Sequence, residues 1–492
     1  MKTEKIDSAS LFKGTFVYTV GAVLKKGGNI ILLPVYTTAL AASGYGTLAM
    51  LTVFGGIVNM ILNFGLGSAI VVKYKEYKAV GKEKIIENSI ITFLLVIIVL
   101  SLVILTITSP LYAEKLIDTG GSSSLIRLYL LVTASDILVG IFYTLLRVRF
   151  REVKLIIVNF INFLFSTSLI IFFVLKLQWG LEGVLFGMLL PSLSICVYFL
   201  TTWGYKPGFD KVLFNPLLRF GIWLVPGNLG VLIYTFSDRF FIQEYFSLAE
   251  VGIYSLAVRL SGVVTVFLLN PFRQAFRPYI FQQDQEVTHG INLGIKFLLI
   301  LSGLGFLGIS LAGRSIIKLL ATREFLPAAS IIPILILAET ANALIQVFNV
   351  GIHKAGKSYI GSAIIWIGAV LNIGLNFLMI PRYKILGAAL ATLITYIVMT
   401  GLYFYFSNKE VTYHIEYRFV MLTIAAVCFY YCGGTFMINS TKHLLLKIVF
   451  YGFTIGGFLF SMYLFLPKEE KVKVNNLLKR KAGSKVMDYR AG

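Results

Sequence analysis

Charge is scarce in this 492-residue chain: 14% of residues are Asp, Glu, Lys or Arg, against 57% hydrophobic. A water-soluble domain needs more polar surface than that, so a soluble enzyme or binding module is excluded. Acids are scarcer still, 23 against 44 basic residues, which leaves a net charge of +21. Cysteine is almost absent, and Cys196, Cys428 and Cys432 all fall in apolar segments, so no disulfide framework is implied. The four histidines are scattered singly, and no metal site is legible. A G-x-x-x-x-G-K-[ST] loop is missing, which excludes nucleotide hydrolysis by that route. No connection exceeds roughly 20 residues, too short for an attached catalytic module. No cofactor is expected, and whatever the chain does takes place within a membrane.

What is abundant is continuous apolar sequence. Runs of about 20 residues, the length that crosses a bilayer core of about 30 Å, recur from end to end. They do not alternate in the manner of a β-barrel. The pattern predicts an all-α integral membrane protein with about fourteen transmembrane helices, at 13–40, 47–71, 89–109, 125–146, 155–175, 183–203, 217–241, 251–270, 290–312, 327–350, 359–380, 386–406, 417–438 and 444–466. The stretch 313–326, "GRSIIKLLATREFL", reads as a short interfacial helix between the ninth and tenth spans. "TALAASG" at 37–43 faintly resembles a signal-peptidase site, but the apolar run before it is too long and is broken by Lys-Lys-Gly-Gly, so retention is expected. With both termini cytoplasmic, 29 of the 44 Lys and Arg residues lie on the inner side, 9 outside and 6 within spans, the asymmetry that sets orientation. Topology thus accounts for the basic excess, and no nucleic-acid partner is expected. The tail from Pro467 is a basic, solvated or membrane-surface segment.

An internal repeat runs through the spans. "GYGTLAML" at 44–51 matches "EVGIYSLAV" at 250–258, with Gly46 on Gly252. "GLEGVLFGMLL" at 180–190 matches "KILGAALATLI" at 384–394, with Gly183 on Gly387. Both offsets are close to 205 residues, and six spans separate the copies, so each half keeps the same orientation. The expected organisation is an N-lobe over 1–210 (spans one to six), a C-lobe over 211–408 (spans seven to twelve), two extra helices over 409–466 and a cytoplasmic tail over 467–492. Gly183-x-x-x-Gly187 and Gly387-x-x-x-Ala391 are spacings that let helices approach closely.

Ionisable groups inside spans usually face a cavity or a partner. Span four carries Tyr129, Thr133, Asp136, Gly140, Tyr143 and Arg147 along one helical face. Span ten carries Glu339, Asn342, Gln346, Asn349 and His353 in the same way. The repeat superposes the two stripes. They line a cavity, or they bond helices to one another. Pro226 and Gly227 should break or bend span seven, and Asp238 and Arg239 follow near its outer end, either neutralising other charges or marking the interface. Arg259 lies in span eight. Asn59 and Asn63 in span two and Asn372 and Asn376 in span eleven read first as packing pairs. Lys25 and Lys26, inside "GAVLKKGGNIILLPVY", have two readings. They meet water in a cationic cavity suited to an anionic substrate, or they snorkel at the cytoplasmic edge of a span that begins after Gly28. Asp136 and Glu339 are the candidate ion-coupling groups, or else permanently paired structural carboxylates.

"LFKGTFVYTVGAVLKKGGNIILLPVYTTALAASGYGTLAML", "SDRFFIQEYFSLAEVGIYSLAVRL", "REFLPAASIIPILILAE" and "IPRYKILGAALATLITY" resemble bacterial polysaccharide-unit (O-antigen, Wzx-type) flippases. These belong to the multidrug/oligosaccharidyl-lipid/polysaccharide (MOP) exporter superfamily. The likeness covers residues 10 to 465, although "TTALAASGYG" lacks the arginine and the acid common at that turn. The resemblance implies a MATE-like fold of two pseudo-symmetric six-helix lobes plus two extra C-terminal helices. It implies alternating access, no covalent chemistry, and a bacterial cytoplasmic membrane. The implied substrate is an oligosaccharide on undecaprenyl diphosphate, with a polysaccharide polymerase and chain-length machinery as partners besides membrane lipids. Lys25, Lys26, Arg239 and Arg259 are the expected cations for the diphosphate, and Arg147 belongs to the span-four stripe of expected sugar contacts. Tyr129, Asp136, Tyr143, Glu339, Asn342, Gln346 and Asn349 are the expected sugar contacts. These nominations rest on the residues, since the family pattern does not single them out. Alternatives are an exporter of drugs or of the peptidoglycan lipid precursor, and a membrane-embedded polymerase or glycosyltransferase.

Overall fold

The structure, a computed structural model, describes residues 31–117, 123–281, 287–411, 413, 415–441, 443–467 and 471. The helices are α1 (Leu33–Ala39), α2 (Ala41–Leu62), α3 (Leu66–Ala79), α4 (Glu83–Ile117), α5 (Ser123–Val148), α6 (Glu152–Ile171), α7 (Gly180–Thr202), α8 (Lys211–Ile222), α9 (Val225–Tyr245), α10 (Leu248–Val264), α11 (Asn270–Phe281), α12 (Val287–Leu320), α13 (Ala328–Lys354), α14 (Ser358–Asn408), α15 (Tyr417–Asn439) and α16 (Leu444–Phe465). Twelve helical stretches among the described residues are long and apolar enough to span a bilayer. One of them, α14, breaks at Lys384 (φ 52°, ψ −135°) and so contributes two spans. The expected first span falls mostly outside the described residues. The expected interfacial helix at 313–326 is instead the last turns of α12, followed by a 3-10 turn at Arg323–Phe325. Nothing between Gly313 and Leu320 breaks a helix, so the ninth span runs on.

The repeat is visible as geometry. α2 and α10 cross at their N-terminal ends, where a Cβ on Gly46 would lie 1.7 Å from the Leu248 carbonyl oxygen and one on Gly252 would lie 2.1 Å from that of Ala42. Residues 42 and 248 are repeat mates, so the two contacts are one contact reflected through a local two-fold axis. The second glycine pair behaves alike. Gly183 packs against Phe173 and Gly387 against Met379, each at the end of the preceding span. Only a missing side chain permits backbones this close.

Two spans are broken in mid-course. The expected break before Pro226 separates α8 from α9, with Leu224 N bonded to the Gly221 carbonyl (3.0 Å). Span two also breaks, at Phe64 and Gly65, both with positive φ (49° and 68°). The two breaks touch: a Cβ on Gly65 would lie 2.2 Å from the Gly221 oxygen, and one on Gly221 would lie 2.4 Å from that of Phe64. α8 then packs on α3 and α4, where the Tyr77 hydroxyl donates to the Leu213 carbonyl (3.0 Å).

Where α3, α4, α5 and α7 end together, Glu87 is fully buried. Arg149 donates to it from Nε (2.7 Å) and Nη2 (2.5 Å), Tyr74 from its hydroxyl (3.0 Å) and Trp203 from Nε1 (3.1 Å). The Arg149 guanidinium also lies 4.6 Å from the Trp203 ring centroid. α15 and α16 pack on each other and on α12, where Lys296, almost fully buried, pairs with Glu416 at 2.6 Å.

Two stability predictions follow from this packing. Gly46→Val and Gly252→Val each destabilise the protein by at least ~1–3 kcal/mol through overpacking, while Gly56→Ala, with open space beside it, does not; thermal unfolding in detergent reads the difference, and equal values would deny the close seam. Glu87→Ala strands Arg149 and destabilises by about 2–4 kcal/mol, the lower part of the range for breaking a buried pair because Arg149 keeps 23% side-chain exposure. In the same assay, the double change Glu87→Met with Arg149→Met recovers most of that loss if the pair is what matters.

Candidate functional site

A cavity of 880 Å³ lies between α2–α3, α5 and α9. Its wall combines the span-four stripe (Tyr129, Thr133, Asp136, Thr144, Arg147) with Asn59, Asn63 and Ser68 from the broken span two. Asn228 and Phe236 come from α9 in the second half. It begins inside the Gly46–Gly252 crossing and extends toward the end where α3 and α5 finish. Helical spacing explains the stripe: residues three and four apart share a face. Tyr129 and Thr133 press on Gly55, where a Cβ would meet the Tyr129 ring at 2.4 Å and the Thr133 hydroxyl at 2.6 Å. Asp136 is exposed to the cavity and accepts a hydrogen bond from Ser192 of α7 (2.9 Å). Tyr143 does not line the cavity. At about 100° per residue it falls on the edge of the stripe toward α7, and Thr144 takes the cavity side instead.

A second, smaller hollow of 210 Å³ continues the seam beyond Phe236, and both Arg239 and Arg259 line it with Tyr45, Thr52 and Ser255. The Arg259 guanidinium lies 5.4 Å from the Tyr45 ring centroid and 5.9 Å from that of Tyr36. Arg239 carries its counter-ion with it. Asp238, 3% exposed, accepts from Arg239 Nη1 (3.0 Å) and backbone N (2.8 Å), and the Tyr254 hydroxyl donates to the same carboxylate. Asp238 and Arg239 are expected to neutralise other helices' charges or to mark the interface; the geometry instead pairs them with each other, because the long Arg side chain folds back over its neighbour.

The span-ten stripe is placed apart from the large cavity. Glu339 accepts from Thr265 (2.7 Å), the first residue of the π-helical turn Thr265–Leu269 that follows α10. Asn349 and His353 bond each other (3.0 Å), and Asn342 and Gln346 are half-buried on α13. The asparagine pairs divide. Asn372 and Asn376 are packing residues as expected, both 0% exposed, with Asn372 accepting from Ser237 (2.8 Å) and Asn376 donating to both Asn372 (3.0 Å) and Ser237 (3.1 Å). Asn59 and Asn63 line the cavity instead, because the break at Phe64 and Gly65 opens their side of the helix. Lys25 and Lys26 lie outside the described residues. Among the described residues no group of three His, Cys, Asp or Glu side chains is arranged for a metal ion.

Broken spans meeting beside a polar cavity are an arrangement that membrane transporters use. The chain belongs to the family of polysaccharide biosynthesis proteins, whose pattern matches residues 11–283, more than half its length. It is 22% identical over 410 residues to the probable low-salt glycan biosynthesis flippase Agl15 of Haloferax volcanii, covering 81% of this chain and 84% of that one. It is 25% identical over 291 residues to an uncharacterized membrane protein, MJ1068, of Methanocaldococcus jannaschii, and there it spans only 55% of the relative's length. Among solved structures it superposes on the lipid II flippase MurJ in an inward closed conformation (TM-score 0.71, 16% identity, 92% of this chain and 99% of that one). It also superposes on an inward-facing MATE family transporter of the MOP superfamily (TM-score 0.62, 15% identity, 80% and 94%). These likenesses fix the expected MOP fold. The relatives named for an activity are flippases and transporters, not enzymes.

Single cysteines report the cavity directly. In a background with Cys196, Cys428 and Cys432 replaced, cysteine at Asn63 or Arg147 reacts with a water-soluble methanethiosulfonate, and cysteine at Asn372 reacts at least ~100-fold more slowly. Equal rates at all three positions would mean that the seam holds no water path.

Proposed function

We propose that this protein flips a lipid-linked oligosaccharide across the membrane, passing the polar head through the cavity while the polyprenyl tail stays in lipid. The observation that carries the reading is the 880 Å³ cavity, walled by hydrogen-bonding side chains from both halves in a polysaccharide biosynthesis protein. A sugar chain cannot cross unaided, because its hydroxyls would have to shed water into hydrocarbon. Asn59, Asn63, Asp136 and Asn228 offer replacement partners, and Tyr129 and Phe236 offer faces for sugar rings. Arg147, with Arg259 deeper in the seam and Lys25 and Lys26 on the expected first span, supplies positive charge for a diphosphate. Undecaprenyl diphosphate is the carrier that the resemblance to polysaccharide-unit flippases implies.

The basic loops put both termini in the cytoplasm of the producing cell. In that orientation the α2–α10 crossing closes the outer side, and the cavity faces inward. The halves 1–210 and 211–408 rock about the crossing to expose the head outward, and 409–466 form a separate pair beside the second half. Asp136 is the group best placed to couple an ion, since it is exposed and lines the cavity, whereas Glu339 is half-buried and lies outside it. The Glu339, Asn342, Gln346 and Asn349 stripe would serve the head only after the lobes rearrange. Polymerase and chain-length partners would receive the flipped unit.

Leaflet-resolved tracking in proteoliposomes tests the reading. Undecaprenyl-diphosphate oligosaccharide appears in the opposite leaflet with the native protein, while Arg147→Glu and Asp136→Ala lower the initial rate about tenfold or more. The peptidoglycan lipid precursor, run in parallel, moves more slowly. Substrate held in its starting leaflet under every ion gradient would rule out flipping, and preferential movement of the precursor would reassign the cargo.

A further inference from the structure

The central cavity is smaller than a second hollow on the membrane-facing side. A groove of 1110 Å³ lies between α6 and α7, on the outside of the first half. Its lining is ordered along its length. Arg151, Glu152 and Lys154 stand at the mouth, and below them the wall is mostly apolar, with Ile157, Ile161 and Phe165 from α6, interrupted by Asn162 and Ser194. These three are 51%, 57% and 42% exposed, so no other part of the described chain covers them. The cations are held by aromatic faces: Lys154 Nζ lies 5.1 Å from the Tyr198 ring centroid, and the Arg151 guanidinium lies 6.0 Å from that of Trp203. With Glu152 counted, the mouth keeps a net positive charge. From Lys154 to Phe165 the helix rises about 16 Å at 1.5 Å per residue, close to half of a ~30 Å hydrocarbon core. The groove is one leaflet deep, charged at the interface and apolar beneath it.

We propose that this groove is a binding site for one anionic glycerophospholipid of the leaflet on the α5–α6 turn side. Its phosphate sits against Arg151 and Lys154, and one acyl chain lies along Ile157, Ile161 and Phe165. A zwitterionic lipid would bring its ammonium to the same two cations, and a polyprenyl tail is far longer than one leaflet. The charge at the mouth and the depth of the groove together select the anionic phospholipid. The site is separate from the central cavity, and its occupant would brace α6 against α7.

Native mass spectrometry of the full chain, relipidated with equimolar phosphatidylglycerol and phosphatidylcholine of identical acyl chains, tests this. The native protein retains phosphatidylglycerol preferentially, by about fivefold or more. Reversing both charges, R151E with K154E, abolishes that preference, as expected when cations near an anionic headgroup are lost. R151K with K154R keeps it, and Ile161→Trp, which fills the groove without changing charge, loses the bound lipid. Inorganic phosphate at millimolar concentration does not displace it. Equal retention of the two lipids by the native protein, a preference that survives R151E with K154E, or displacement by phosphate alone would each overturn the site.

Discussion

In hydrocarbon no water is available to a peptide group that leaves its helix, so a broken span needs protein or a wet cavity at its side. Here two spans break and their breaks meet, Gly65 against Gly221. The kinks and the cavity are therefore one structural fact. Span two bends at Phe64 and Gly65, its flank carrying Asn59 and Asn63 opens, and Asn228 on the far side of the second break completes the wall. Without the breaks these asparagines would be packing residues, as Asn372 and Asn376 are in the unbroken span eleven.

Acidic side chains are few, and several within the described spans have definite work. Glu87 knots four helix ends around its carboxylate, Asp238 holds Arg239 and Tyr254, and Glu339 takes a hydroxyl from the π-turn. Each of these charges fixes helices in place, and Glu87 and Asp238 are too enclosed to meet a substrate in this conformation. Asp136 differs in facing the cavity, and Arg147, eleven residues and about three helical turns further on, lines the same side. Rigid, internally neutral ends thus flank a seam whose polar groups remain available.

Much of this was legible beforehand. Continuous apolar runs gave the helical membrane fold, glycine spacing gave the repeat, and Pro226 gave one of the two breaks. The span-four stripe followed from residue spacing alone, and most of it faces the cavity. Other parts were hidden for physical reasons. Gly65 sits in "NFGLG", without a proline to announce a break. The Glu87 network joins residues from four helices whose meeting depends on tertiary packing, and nothing local marks Trp203 as its partner. The equivalence of the two stripes in sequence did not carry over to one shared cavity, because the helix bearing Glu339 is engaged with the turn after α10. The α6–α7 groove was missed because its apolar residues read only as a membrane-facing surface.

The α2–α10 crossing has a mechanical corollary. Its two glycine contacts are copies of each other about one axis, so a rotation that preserves that axis relaxes both equally. In such a symmetric motion the latch has no half-released setting. A carrier that must never be open to both sides gains from a barrier of that kind, since leakage would require an intermediate that the symmetry does not supply.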